Sequence, residues 1–255
     1  MGKTSLVINS TRPMSNWQKA VQKTSKLLQN NLAARFVCPH LSPLIKDTLE
    51  ISKPIKIYSP SEVADEMHKL QINKLRRLDS KTYSGETLEG KPNTIKRLKE
   101  LGFETIVDFR KGYCSCYKKD CENNGIEYFN FPLSHTKNFA NKLEVNDSFV
   151  KDLRKFFDIC DSGNAYLACQ WGIDRTNVGV ILNYLLNPTE HLTPEVFAWG
   201  GDSAKSIINK NKKNAENILK QLTQEQKELL KLEPDCREIL KRRTMKLINK
   251  NKTSF

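Results

Sequence analysis

Cys169 and Arg175 stand with five residues between them, and Thr176 follows directly. Ala165-Tyr166-Leu167-Ala168 runs apolar into the cysteine, and Val178 to Leu186 beyond has the length and pattern of a buried helix. The spacing therefore predicts a loop between a strand and a helix N-terminus. There, outward-facing backbone N–H groups and the helix dipole make an anion site. A thiol in such a place, near an arginine, is stabilised as thiolate and becomes a nucleophile. The planar fork of Arg175 suits two oxygens of a phosphate. Amides of Gln170, Trp171, Gly172, Ile173, Asp174 and Arg175 can hold the phosphate against the sulfur. Thr176 can donate a hydrogen bond to that sulfur, and Gly172 lets the backbone turn tightly with its amides inward. The chemistry implied is phosphoryl transfer through a cysteinyl-phosphate.

Several elements must hold this loop. Arg76 to Gly90 is expected to bring in a first strand. Lys91 to Leu101 carries Ile95, Leu98 and Leu101 at helical spacing, with Gly102 as its stop. Thr105 to Arg110 reads as a buried strand ending in charge, and Gly125 to Leu133 as another. Ser203 to Leu230 and Cys236 to Ile248 are helical, lysine-rich patterns. The expected class is α/β, with a short, mostly parallel central sheet flanked by helices on both sides. Residues 1–75 are read as a mainly helical N-terminal extension packing on the core. Residues 76–255 are read as the catalytic domain with its C-terminal helices.

Cys169-x5-Arg175-Thr176 resembles the phosphate-binding loop of the cysteine-dependent protein tyrosine phosphatase superfamily. The order of elements from Tyr83 to Leu186 is similar to that of its compact dual-specificity and atypical members. Cys-x-x-Gly-x-Asp-Arg-Thr resembles the loops of myotubularins and of bacterial phosphatases that act on phosphoinositides and phosphotyrosine. Asp-Arg-Thr-Asn is similar to the Sac-type inositide phosphatases. The resemblance implies Cys169 as nucleophile, Arg175 as clamp and Asp174 as the acid that protonates the leaving oxygen, with no metal and no cofactor. Tyr83-Ser84-Gly85 resembles a stretch that closes a turn near the substrate. Three departures stand out. After Pro132-Leu133 no aspartate occurs until Asp147, so Asp147 and His135 remain alternatives for the acid. Ala168 replaces the histidine usual before the cysteine, and Ile173 stands where inositide-directed relatives often carry a lysine.

The chain has 255 residues and a formal net charge of +13, which favours anionic partners. A phosphotyrosine or dual-specificity protein substrate comes first, with phosphoinositide close behind. An RNA 5′-triphosphatase and a phosphate-binding module without turnover are the rivals. The basic stretch Lys241-Arg242-Arg243 offers contact with an acidic membrane surface, and nucleic acid is less favoured. The sequence does not fix the oligomeric state. Seven cysteines, an odd number, with no secretory leader or membrane span, point to free thiols in a reducing, cytoplasmic compartment. Delivery into a host cell stays open. Cys114, Cys116 and Cys121 lack a Cys-x-x-Cys pair and are read as thiols in an exposed loop. A metal site there would need a further ligand such as His135.

Overall fold

The computed structural model describes residues 58–112, 114–134, 143–189, 192, 194–196 and 201–251. Most of the expected N-terminal extension, residues 1–57, lies outside them, as does His135. Five strands, β1 (Arg76–Arg77), β2 (Tyr83–Glu86), β3 (Thr105–Asp108), β4 (Glu127–Asn130) and β5 (Ala165–Cys169), form one sheet in the order β1-β2-β5-β3-β4. Only the β1–β2 pair is antiparallel. The helices are α1 (Pro60–Lys69), α2 (Pro92–Glu100), α3 (Ser115–Asn123), α4 (Asp147–Ser162), α5 (Asp174–Leu186), α6 (Ala204–Gln221), α7 (Gln224–Leu229) and α8 (Cys236–Lys250). The α/β class read from the sequence is the class observed.

Every residue of β2, β3 and β5 is buried, as strands covered on both faces must be. Side-chain alternation along β5 divides the core in two. Ala165, Leu167 and Cys169 face a cluster with Phe109, Phe156, Ile181, Ile207 and Leu247. Tyr166 and Ala168 face another with Met67, Tyr83, Ile95 and Tyr117. Thus α4, α5, α6 and α8 cover one face of the sheet, and α1, α2 and α3 the other. The first turn of α1 is closed by a capping box: Glu62 N–H donates to Ser59 Oγ at 3.3 Å, and Ser59 N–H to the Glu62 carboxylate at 2.8 Å.

Four local expectations are corrected. Tyr83-Ser84-Gly85 is no turn but the buried strand β2. Ser203 to Leu230 is two helices, because Leu222 is extended and Thr223 opens α7 with its own capping box to Gln226. The thiols of Cys114, Cys116 and Cys121 belong to α3 rather than a loop: Cys114 caps the helix, and Tyr117 and Cys121, one turn apart, are buried. Arg243 is not part of an outer basic face. It is buried, and it donates to the carbonyls of Tyr184 at 3.2 Å and Pro188 at 2.9 Å, closing the C-terminal end of α5. No helix among the described residues is long and apolar enough to cross a membrane.

The seat of α5 is tight. A Cβ on Gly179 would lie 2.6 Å from Phe109 Cε1. Phe109 cannot retreat, since its ring is fully buried against Phe156, with centroids 5.4 Å apart. Gly179→Val should therefore lower the unfolding free energy by about 1–3 kcal/mol, the usual cost of overpacking. A urea midpoint equal to wild type would show that α5 has slack here.

Candidate active site

β5 ends on Cys169 and α5 begins on Asp174, so only Gln170 to Ile173 lie between them. The chain leaves β5 for α5 on one face of the sheet. Its neighbours β2 and β3 lead to α2 and α3 on the other. Ligands of open α/β sheets bind at such a divergence, beyond the strands' C-terminal ends. The first helical bond of α5 runs from Asn177 N–H to Ile173 C=O at 2.8 Å. The N–H groups of the preceding turn lie at the positive end of the helix dipole, beside Cys169.

The loop is held from below by close backbone packing. Gly172 has φ +68°, and a Cβ there would lie 2.6 Å from the Gly85 carbonyl oxygen and 2.7 Å from Glu86 N. Only glycine meets both demands at no cost. Gly85 is similarly confined, by the Tyr166 hydroxyl and by Ile72 Cγ2, which a Cβ would approach to 2.9 Å. Tyr166 in turn donates its hydroxyl to the Glu86 carbonyl at 2.7 Å. The Glu86 carboxylate accepts from Lys91 at 2.6 Å and from Asn73 Nδ2 at 2.9 Å. Strand β2 is thus a fixed floor for the loop.

A buried cation completes the support. Arg76 Nη2 donates to the Gly172 carbonyl at 2.6 Å, and Nη1 to Asn177 Oδ1 at 2.6 Å and the Glu195 carbonyl at 3.3 Å. Loop, helix and a later segment are tied to one guanidinium, which is only 8% exposed. Burial pulls it down to about 10, the charge at Cys169 opposing that shift, and it remains a cation at neutral pH. On the other side of β5, Asp108 is fully buried at the end of β3. It accepts from Arg110 Nη2 at 2.7 Å and from the Tyr128 hydroxyl at 2.9 Å. The charge that ends this strand is a brace.

The residues singled out in the sequence divide into those gathered here and those not. Cys169, 3% exposed, the loop residues, Asp174, Arg175 and Thr176 share one strand–loop–helix turn. Asp174 and Arg175 are half-buried, and Trp171 stands 68% exposed at the loop. Thr176 is fully buried, but its hydroxyl has no hydrogen-bond partner among the described residues. The bond to the Cys169 sulfur expected from the sequence is therefore not formed in this state. Asp147 is the exposed first residue of α4, and it accepts a hydrogen bond from Gln226 of α7 at 2.8 Å. Sequence reasoning missed Arg76, Asn177 and the packing role of Gly85. An Arg-Arg pair reads as solvated charge, and nothing local links it to a glycine almost a hundred positions away.

No family model and no curated protein matches the chain. Solved structures are similar to it. One is a DUF442 protein of Shewanella putrefaciens CN-32, described as a phosphatase, at 15% identity and TM-score 0.40, over 60% of this chain and 97% of that one. TpbA of P. aeruginosa, solved with pTyr, is 18% identical at TM-score 0.34, over 53% and 71% of the two chains. The catalytic core of the PP-IP phosphatase SIW14 of S. cerevisiae is 12% identical at TM-score 0.34, over 66% and 91%.

Arg76→Met should remove the guanidinium's hydrogen bonds to the buried Gly172 carbonyl and Asn177 Oδ1, at about 1–3 kcal/mol each. A clear drop in the urea midpoint is expected. A midpoint within error of wild type would mean that the guanidinium does not hold the loop.

Proposed function

We propose that the protein is a phosphomonoesterase that works through a cysteinyl-phosphate. The observation that carries this reading is the placement of Cys169 on the last position of β5 and Arg175 on the second of α5, joined by a four-residue loop turned at Gly172. Cys169 attacks phosphorus while the ester oxygen leaves with a proton from Asp174. Water then attacks the phosphocysteine, the S–P bond breaks, and inorganic phosphate departs with the thiolate restored. Loop amides and the Arg175 guanidinium hold the equatorial oxygens, where charge grows in the transition state. Arg76 carries its charge beneath the loop, a second cation in a site whose preceding residue, Ala168, contributes none.

Asp174 is favoured as the acid over Asp147. Asp174 opens the helix whose N-terminus faces the loop, whereas Asp147 is engaged with Gln226 on α7. The substrate read from the site is phosphotyrosine in protein. Trp171 presents an exposed indole against which an aryl ring can pack, and Gln170, Trp171 and Ile173 add no cation for the further phosphates of an inositide.

Phosphate release from an aryl phosphate and a phosphotyrosine peptide should vanish in Cys169→Ser. Activity that persists would remove the cysteine from the reaction. Short-chain phosphoinositides and triphosphate-ended RNA in the same panel test the substrate class, and a preference for either would replace the protein substrate. In Asp174→Asn the fall of kcat at high pH should flatten, since a general acid must be protonated to act. The kcat should drop by about 10²–10⁴-fold, more for alkyl than for aryl leaving groups. An unchanged profile would pass the role to another residue.

A further inference from the structure

Glu89, Cys114 and Cys116, none of them part of the loop from Cys169 to Arg175, come together. Their ligand atoms all lie within 4.8 Å of one another. Cys114 Sγ donates to Glu89 Oε1 at 2.9 Å and lies 2.9 Å from Cys116 Sγ. Cys116 Sγ is 3.6 Å from the same oxygen. The other oxygen of Glu89 is held by Arg110 Nη1 at 2.5 Å. Three segments meet here: the turn after β2, the chain after β3 and the first turn of α3.

The meeting is built rather than incidental. Leu88 N–H donates to the Tyr117 hydroxyl at 3.3 Å, which fixes the turn bearing Glu89 against α3. Tyr117 is fully buried, and Arg110 lies over its ring at 5.5 Å from the centroid. The carboxylate is oriented by Arg110 and Arg110 by buried Asp108, the arrangement in which outer partners aim a ligand at a metal. Cys114 and Cys116 stand at the N-terminus of α3, where the dipole favours thiolates.

We infer that Glu89, Cys114 and Cys116 form a binding site for a thiophilic divalent cation of the zinc class. Two sulfurs and one carboxylate oxygen are a borderline-soft set, suited to zinc and not to magnesium or calcium. A water in the fourth position would complete the tetrahedron, and Cys116 and Glu89 are exposed enough to admit one. With Zn–S bonds near 2.3 Å the sulfurs would stand roughly 3.8 Å apart, so they need to part by less than an ångström. The charge of the ligands suits a cation. Two thiolates and Glu89 place three negative charges around the ion, while Arg110 is shared between Glu89 and Asp108. The inference is independent of the phosphatase reading. The phosphoryl transfer needs no metal, and this site holds no residue of that reaction.

The test uses the full chain carrying Cys169→Ser, reduced and stripped with a chelator, so that the candidate nucleophile adds no signal. Titration with Cd2+ should raise a sulfur-to-metal charge-transfer band that saturates at one ion per chain and is displaced by Zn2+. The band should disappear in Cys114→Ser/Cys116→Ser and persist in Cys236→Ser. Glu89→Gln should weaken binding at least about tenfold. No band in the reduced protein, or a band of full strength in the double serine variant, would overturn the site. So would an undiminished affinity in Glu89→Gln. Recovery of Cys114 and Cys116 as a disulfide that survives the reductant would also overturn it, in favour of a redox pair.

Discussion

The backbone of Gly172 rests on the backbone of Gly85, and the rest of the site depends on that contact. The approach is too close for any side chain at position 172. It sets how far the loop can rise above the end of β2, and hence where amides at the start of α5 stand relative to Cys169. Arg76 makes the contact one-sided. Its hydrogen bond to the Gly172 carbonyl draws that group down and inward, and the planar trans peptide turns the Ile173 N–H the opposite way. A loop of four residues has little freedom beyond this, so two glycines and one guanidinium fix most of its course.

The two-faced core supplies the other half of the constraint. Because β5 is flanked on both sides by parallel strands, its register is fixed twice: Cys169 stands opposite Glu86, and Ala168 opposite both Gly85 and Asp108. A slip of one residue would turn Cys169 to the other face and place Tyr166 in the cluster of α4 and α5. The helix that follows is held equally firmly. Its start is tied to Arg76 through Asn177, and its end to Arg243 of α8. Two buried arginines from distant parts of the chain thus grip α5 at its two ends, and both satisfy carbonyl oxygens there. A nucleophile and a clamp carried on such an assembly need little reorganisation to meet an anion.

The same end of the sheet carries the cluster of Glu89, Cys114 and Cys116. Arg110 links them, bonded to Asp108 at the end of β3 on one side and to Glu89 on the other. The positive charge of this protein is therefore not all solvated lysine. Arg76, Arg110, Arg154 and Arg243 are largely inside the structure, each with carboxylates or carbonyls as partners.

The sequence by itself determined the local chemistry and the order of elements. Cys169, Arg175 and Gly172 are close in the chain, and the strand before and helix after them follow from side-chain period alone. The same period placed β3, β4 and α2 and made the class α/β. It could not see what is joined through space. Tyr83-Ser84-Gly85 resembles a stretch that closes a turn, and only the packed sheet shows that Gly85 lacks a side chain to admit Tyr166 and Gly172. The Arg76-Arg77 pair looks solvated, and only the fold brings Arg76 under the loop. The three thiols of the Cys114 stretch look exposed until one turn of helix buries Cys121 and sets the other two against Glu89. Each of these was decided by tertiary structure for one physical reason. Close approach and buried hydrogen bonding are properties of pairs of surfaces, and the second surface lies far away in sequence.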